Sequence, residues 1–141
     1  VSICFLLLLN IMFCRFSNVC YLKAELLYKQ AISYLTVLVT QIKSTEGFTA
    51  QTPVVYMNEY EKHDYTTASV PELKEIKLIP YGHFSILNCY SWKTTMKMWC
   101  DFDPERGDAS EFENLTEVME MPSYPNAGSI RMIDGTLVVK F

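Results

Sequence analysis

The pattern that most constrains this chain is a helical periodicity over residues 18–43. It follows an uncharged apolar run at 1–14 and precedes an apolar, β-branched segment at 53–58. From Ala24 onward, apolar side chains recur at Leu27, Ala31, Tyr34/Leu35, Leu38 and Ile42, and steps of three and four set them on one helix face. Lys23, Glu25, Lys29, Gln30, Ser33 and Gln41 fall mostly elsewhere. A helix of about 26 residues is roughly 39 Å long at 1.5 Å per residue. That is long for a chain of 141 residues. It reads as a connector between a membrane and a compact domain, and by itself it carries no chemistry.

The run at 1–14 contains Phe5, Leu6, Leu7, Leu8 and Leu9 in succession and no charge. Fourteen residues fall short of the roughly 20 that a full span needs. A secretory signal would show a basic segment before the run and a small-residue cleavage site after it, and neither is present. A buried core helix is the plainer alternative. The preferred reading is the C-terminal half of a transmembrane helix, in a chain that is a piece of a longer protein.

Charge is divided unevenly along the sequence. Residues 1–44 carry Arg15, Lys23, Lys29 and Lys43 against Glu25, a net +3, while residues 45–141 carry eight basic against fifteen acidic side chains, a net −7. An acidic C-terminal part with scattered lysines lacks the basic footprint of a nucleic-acid binder. Arg15, Lys23 and Lys29 would suit a cytoplasmic position under the positive-inside rule. The five cysteines (Cys4, Cys14, Cys20, Cys89 and Cys100) show neither a CxxC pair nor metal-ligand spacing. Cys89 and Cys100, if they flank one helix, stand roughly 16 Å apart, too far for the about 7 Å that a disulfide allows. No disulfide framework is indicated.

Ser17 or Asn18 is placed to cap the second helix, and Gly47 to end it. The segment 53–58 is apolar without strict alternation, as expected of a buried, parallel strand. Residues 59–69 read as a polar surface loop, 70–79 as a short helix and strand, and 80–82 as a turn. Trp92, Thr95/Met96, Trp99 and Phe102 recur at helical spacing, which predicts an amphipathic helix over 91–102 stopped by Asp103-Pro104. Asn114 is expected to cap a helix over 115–121, with Glu117 in capping-box register. Asp134-Gly135 between two β-rich runs is the strongest hairpin signal in the chain.

Chemistry-bearing motifs are scarce. His63 and His83 are too few and too far apart for a trusted metal site. No Gly-rich phosphate loop, GxSxG or HExxH occurs, and no cofactor is indicated. Asp101, Asp103, Glu105 and Asp108 depart from EF-hand spacing and read as a solvated acidic loop. Asn114-Leu-Thr116 has the form of an N-glycosylation acceptor. Tyr90, Trp92 and Trp99 are the candidate substrate-binding residues, because aromatic faces stack on the C–H faces of sugar rings. The competing role for Trp92 and Trp99 is the core face of their helix. No catalytic residue is nominated.

Three blocks carry a family resemblance. They are Tyr21-Leu-Lys-Ala-Glu-Leu-Leu-Tyr-Lys-Gln30, then Gln41-Ile-Lys-Ser-Thr-Glu-Gly-Phe48 with Thr52-Pro-Val-Val-Tyr56, and finally 121–140, which contains Pro122-Ser-Tyr-Pro-Asn-Ala-Gly128 and Ile133-Asp-Gly-Thr136. With Tyr90-Ser-Trp92, these resemble the C-terminal part of bacterial polytopic membrane glucosyltransferases related to the type II O-antigen glucosyltransferases. The resemblance implies an integral membrane enzyme that takes glucose from a polyprenyl-phosphate carrier and adds it to an envelope polysaccharide. It also implies a multi-pass inner-membrane location with the C-terminal domain outside the cytoplasm, and catalytic acids in a region that this chain lacks. The expected architecture is α/β: the end of a transmembrane helix at 1–16, a connecting helix at 17–47, and a small extracytoplasmic mixed α/β domain at 48–141 ending in a β-hairpin. The rival readings are a non-catalytic anchored envelope domain that binds glycan or protein, and a tail that stabilises the membrane bundle.

Overall fold

The computed structural model describes residues 2–58 and 91–141. The expected surface loop at 59–69, the helix and strand at 70–79, the turn at 80–82, both histidines, Cys89 and Tyr90 lie outside these residues. The chain divides into two compact units, one holding Val1–Ile32 and the other holding Ser33–Lys62 and Cys89–Phe141.

Helix α1 runs without interruption over Ser2–Ser44. The expected cap at Ser17 or Asn18 therefore starts no new helix. No Pro or Gly precedes Gly47, and without one a polar cap residue has no breaker beside it to stop the helix. Within this helix Asn10 is accommodated by donating from Nδ2 to the Leu6 carbonyl at 2.8 Å. The helix closes where expected. Ser44 and Thr45 hydroxyls both donate to the Gln41 carbonyl, and Gly47 takes a φ of +83° that costs a glycine little.

Within the second unit a three-stranded mixed sheet forms the centre. Strand β1 covers Val54–Met57, β2 Ile130–Ile133 and β3 Thr136–Lys140, in the order β1-β3-β2. Strand β1 pairs parallel to β3, with Val55 opposite Val138, and all four of its residues are buried. This is the buried parallel strand that its unalternating apolar sequence predicts. Strands β2 and β3 form the predicted hairpin, with Ile133 opposite Thr136. Asp134 and Gly135 both have positive φ, +48° and +78°, as a two-residue type I′ turn requires.

The two faces of the sheet bury different partners. Val55, Met57, Ile133 and Val138 meet Phe112, Val118 and Met121 from the long connection before β2. That connection holds a 3-10 turn at Ala109–Glu111 and a short helix, α3, at Thr116–Met119. Tyr56 and Phe141 alternate onto the other face, where they meet Trp92 of helix α2, Ser91–Cys100. Tyr124 joins them, edge-on to Phe141 and to Tyr34 of α1. Leu35, Leu38, Val39 and Ile42 of α1 are buried, in keeping with the predicted stripe.

The bounds of both shorter helices differ from the sequence expectation. Helix α2 ends at Cys100 rather than running to Phe102, because Asp101 takes a left-handed φ of +46° two residues ahead of Asp103-Pro104. Phe102 is still buried, but it reaches the core from the loop, beside Phe48 and beneath the Lys43 ammonium. Helix α3 is capped by Leu115 and not Asn114, with no side-chain cap hydrogen bond. Leu115 packs against the apolar cluster, so burial of that side chain sets the helix entry in place of a polar cap. The far end of α3 is satisfied from β3, where Lys140 Nζ donates to the Val118 and Met119 carbonyls at 2.9 and 2.8 Å. This cation at a helix C-terminus is also favoured by the helix dipole.

Candidate functional site

The aromatic candidates are placed very differently. Trp92 lies in the first turn of α2 and is buried, with Tyr56 edge-on at 4.8 Å and Phe141 edge-on at 6.0 Å between ring centroids. The Lys93 ammonium sits 5.3 Å over the same indole, within reach of a cation–π attraction. Its ring is part of the core, and its Nε1 has no hydrogen-bond partner among the described residues. Trp99 is 59% exposed. It shares the helical stripe of Trp92 and Met96, but it lies about 10 Å beyond Trp92 and about 4.5 Å beyond Met96 along the axis, near the helix end at Cys100. Its neighbour Met98 is exposed as well. Tyr90 lies outside the described residues.

Beside Tyr56 the second unit has a shallow, open cleft lined by Lys93, Met96, Phe102, Asp103, Pro104 and Arg106. Its position follows from the strand edge. The Val54 N–H donates to the Glu105 carbonyl at 2.8 Å, and Gly107 N–H donates to the Val54 carbonyl at 3.3 Å. This draws residues 105–107 alongside β1, with Arg106 at the cleft. Gly107 is required there, because a Cβ would lie 2.6 Å from Val55 Cγ2. Sequence reasoning passed over Lys93 and Arg106, which belong to no motif and meet only through folding.

The electrostatics of this region are those of a surface. Asp103 Oδ2 accepts from Lys97 Nζ at 2.6 Å with both side chains largely exposed. The hydrogen bond from Lys97 to Asp103, and then its charge, raise the Lys97 pKa. Asp108 is held below the ordinary carboxylate value by hydrogen bonds from the Ser110 N–H and hydroxyl, at 2.9 and 2.8 Å. The Asp side chain thereby caps the 3-10 turn. The acidic residues after α2 thus have structural uses, and among the described residues no three His, Cys, Asp or Glu side chains converge to hold a metal ion. The Lys93 and Arg106 side chains and the Tyr56 ring line the cleft, with Asp103 the acid among them. The cleft offers no matched acid and base.

The described residues define a small mixed α/β domain in a chain whose N-terminal helix, over Ile3–Ser44, is long and apolar enough to cross a membrane. No protein-family model matches the chain, and neither curated proteins nor solved structures give a significant match.

Proposed function

We propose that this chain is the C-terminal part of a polytopic membrane glycosyltransferase that transfers glucose from a polyprenyl-phosphate carrier to an envelope polysaccharide such as O-antigen. The observation that carries the reading is the joining of an exposed, uncharged apolar helix segment to an acidic mixed α/β domain. The segments resembling those enzymes run through both parts. In this reading the helix sits in the inner membrane among further spans, the domain lies outside the cytoplasm, and catalytic acids come from elsewhere in the protein. The domain's task is to hold the acceptor glycan or to cap the catalytic cavity. Trp99 is then the glycan contact, since its side chain is largely exposed, and Trp92 supports it by filling the core beneath the helix.

A second reading needs nothing beyond the anchor and the exposed ring: a non-catalytic envelope domain that binds glycan or protein. Two steps separate them. The coding DNA upstream of Val1 is read first, and the complete open frame is then expressed in membranes supplied with polyprenyl-phosphate glucose. Further encoded spans together with glucose transfer to polysaccharide are expected. A start codon just before Val1, or a complete frame without transfer, would sink the enzyme reading and leave the anchored domain.

A further inference from the structure

Like charges are drawn together beside Tyr56. Lys93 and Lys97 are one turn apart on α2, about 40° around its axis, a like-charge spacing that costs helix stability. Arg106 comes to the same cleft from the strand edge. Its backbone is held there by the two hydrogen bonds to Val54 and by the close approach that Gly107 permits. The nearby acids do not balance this group. Asp103 is the acid that lines the cleft, and its Oδ2 already accepts from Lys97 Nζ at 2.6 Å. Asp108 is engaged by the Ser110 N–H and hydroxyl. Among the described residues Arg106 makes no side-chain hydrogen bond or ion pair.

A guanidinium presents paired N–H groups that match the two oxygens of a carboxylate or phosphate. The cleft is shallow and open, so it does not surround a small molecule as an enclosed pocket does. It suits a charged group carried on a longer chain. We propose that Arg106 and Lys93 form an anion subsite that takes the carboxylate or phosphate of an acidic envelope glycan, with Arg106 making the bidentate contact. The proposal deepens the reading that the domain holds the acceptor glycan, and it rests on that reading. Trp99 lies about 120° around α2 from Lys93, so the ring and the cations meet different parts of such a chain. The net charge of residues 45–141, −7, opposes a polyanion in general. Binding then depends on this subsite, and loss of Arg106 is felt in full.

The test uses the complete protein in neutral detergent. A fluorescent oligogalacturonate and a maltooligosaccharide of the same length are the probes, read by anisotropy. The oligogalacturonate is expected to bind more tightly, and added salt should weaken it alone. Arg106→Gln should lower its affinity by about tenfold and leave maltooligosaccharide binding and unfolding unchanged. Arg106→Lys, which keeps the charge without the fork, should fall between the two. Inorganic phosphate and glucuronate are the competitors, and the one that displaces the oligogalacturonate at lower concentration names the anion. Equal affinity for the two oligosaccharides, unchanged affinity in Arg106→Gln, or displacement by neither competitor overturns the inference. Glucose transfer is measured beside binding. Transfer with no preference for the acidic oligosaccharide defeats the subsite alone, whereas absence of transfer and of all oligosaccharide binding defeats both.

Discussion

Helix α1 holds two apolar stretches that hydropathy alone hardly tells apart, and the molecule treats them in opposite ways. Over 3–13 nearly every side chain is apolar and exposed, with Ile3 73% and Phe13 72% exposed. Over 35–42 the apolar side chains Leu35, Leu38, Val39 and Ile42 are at most 4% exposed, while Val37 points outward. The difference lies in the pattern. Residues at steps of three and four make a stripe that a sheet face can cover. An apolar surface on every side of a helix leaves no polar face for water, and lipid is the solvent that suits it.

The largest effect that would break this contrast is a cavity on the covered side. Leu38→Ala should destabilise the sheet-containing unit by about 2–5 kcal/mol in denaturant unfolding, while Leu8→Ala should leave that unfolding unchanged. Equal effects would mean that the two stretches share one environment. Gly107→Ala should cost about 1–3 kcal/mol by pressing a methyl group into Val55 in the same assay. Gly135→Ala should cost about 1–2 kcal/mol, because its φ of +78° is left-handed. The hairpin amide resonances would show this by faster hydrogen exchange.

The sheet-containing unit was legible wherever a local signal settles the backbone. Asp134-Gly135 can close a tight hairpin whatever surrounds it, and 53–58 is too short and too apolar for anything but a buried strand. The failures share a cause. Asn114 and Asp103-Pro104 are strong local punctuation, yet burial of Leu115 and the left-handed Asp101 moved the helix ends by one and two residues. Trp99 has the right spacing for the core, but spacing cannot reveal where the covering surface stops. Continuity of α1 through Ser17 and Asn18 was hidden because capping residues permit a helix start without forcing one. The candidate site was the least readable part, since Lys93, Asp103 and Arg106 meet through tertiary contacts and no motif marks them.

Smaller effects sharpen the account of the acidic loop. Asp108 is hydrogen-bonded in the fold, so its folded pKa lies below its unfolded one. Its stabilising contribution is therefore complete above the unfolded carboxylate value and is lost as pH falls through the depressed folded value. Asp108→Asn should flatten that acid limb of the stability profile, and carboxyl NMR should show Asp108 titrating at lower pH than a free aspartate. Trp99→Ala should be smaller still, leaving unfolding nearly unchanged while removing any glycan contact.

The central claim is that residues 3–14 lie in lipid while the sheet-containing unit folds in water. Alkylation of single-cysteine chains by a charged, membrane-impermeant maleimide tests it most directly. The account predicts that Cys4 and Cys14, both exposed in the chain itself, react only after detergent dissolves the membrane. Reaction at the same rate before detergent would place that helix segment in water and contradict the account.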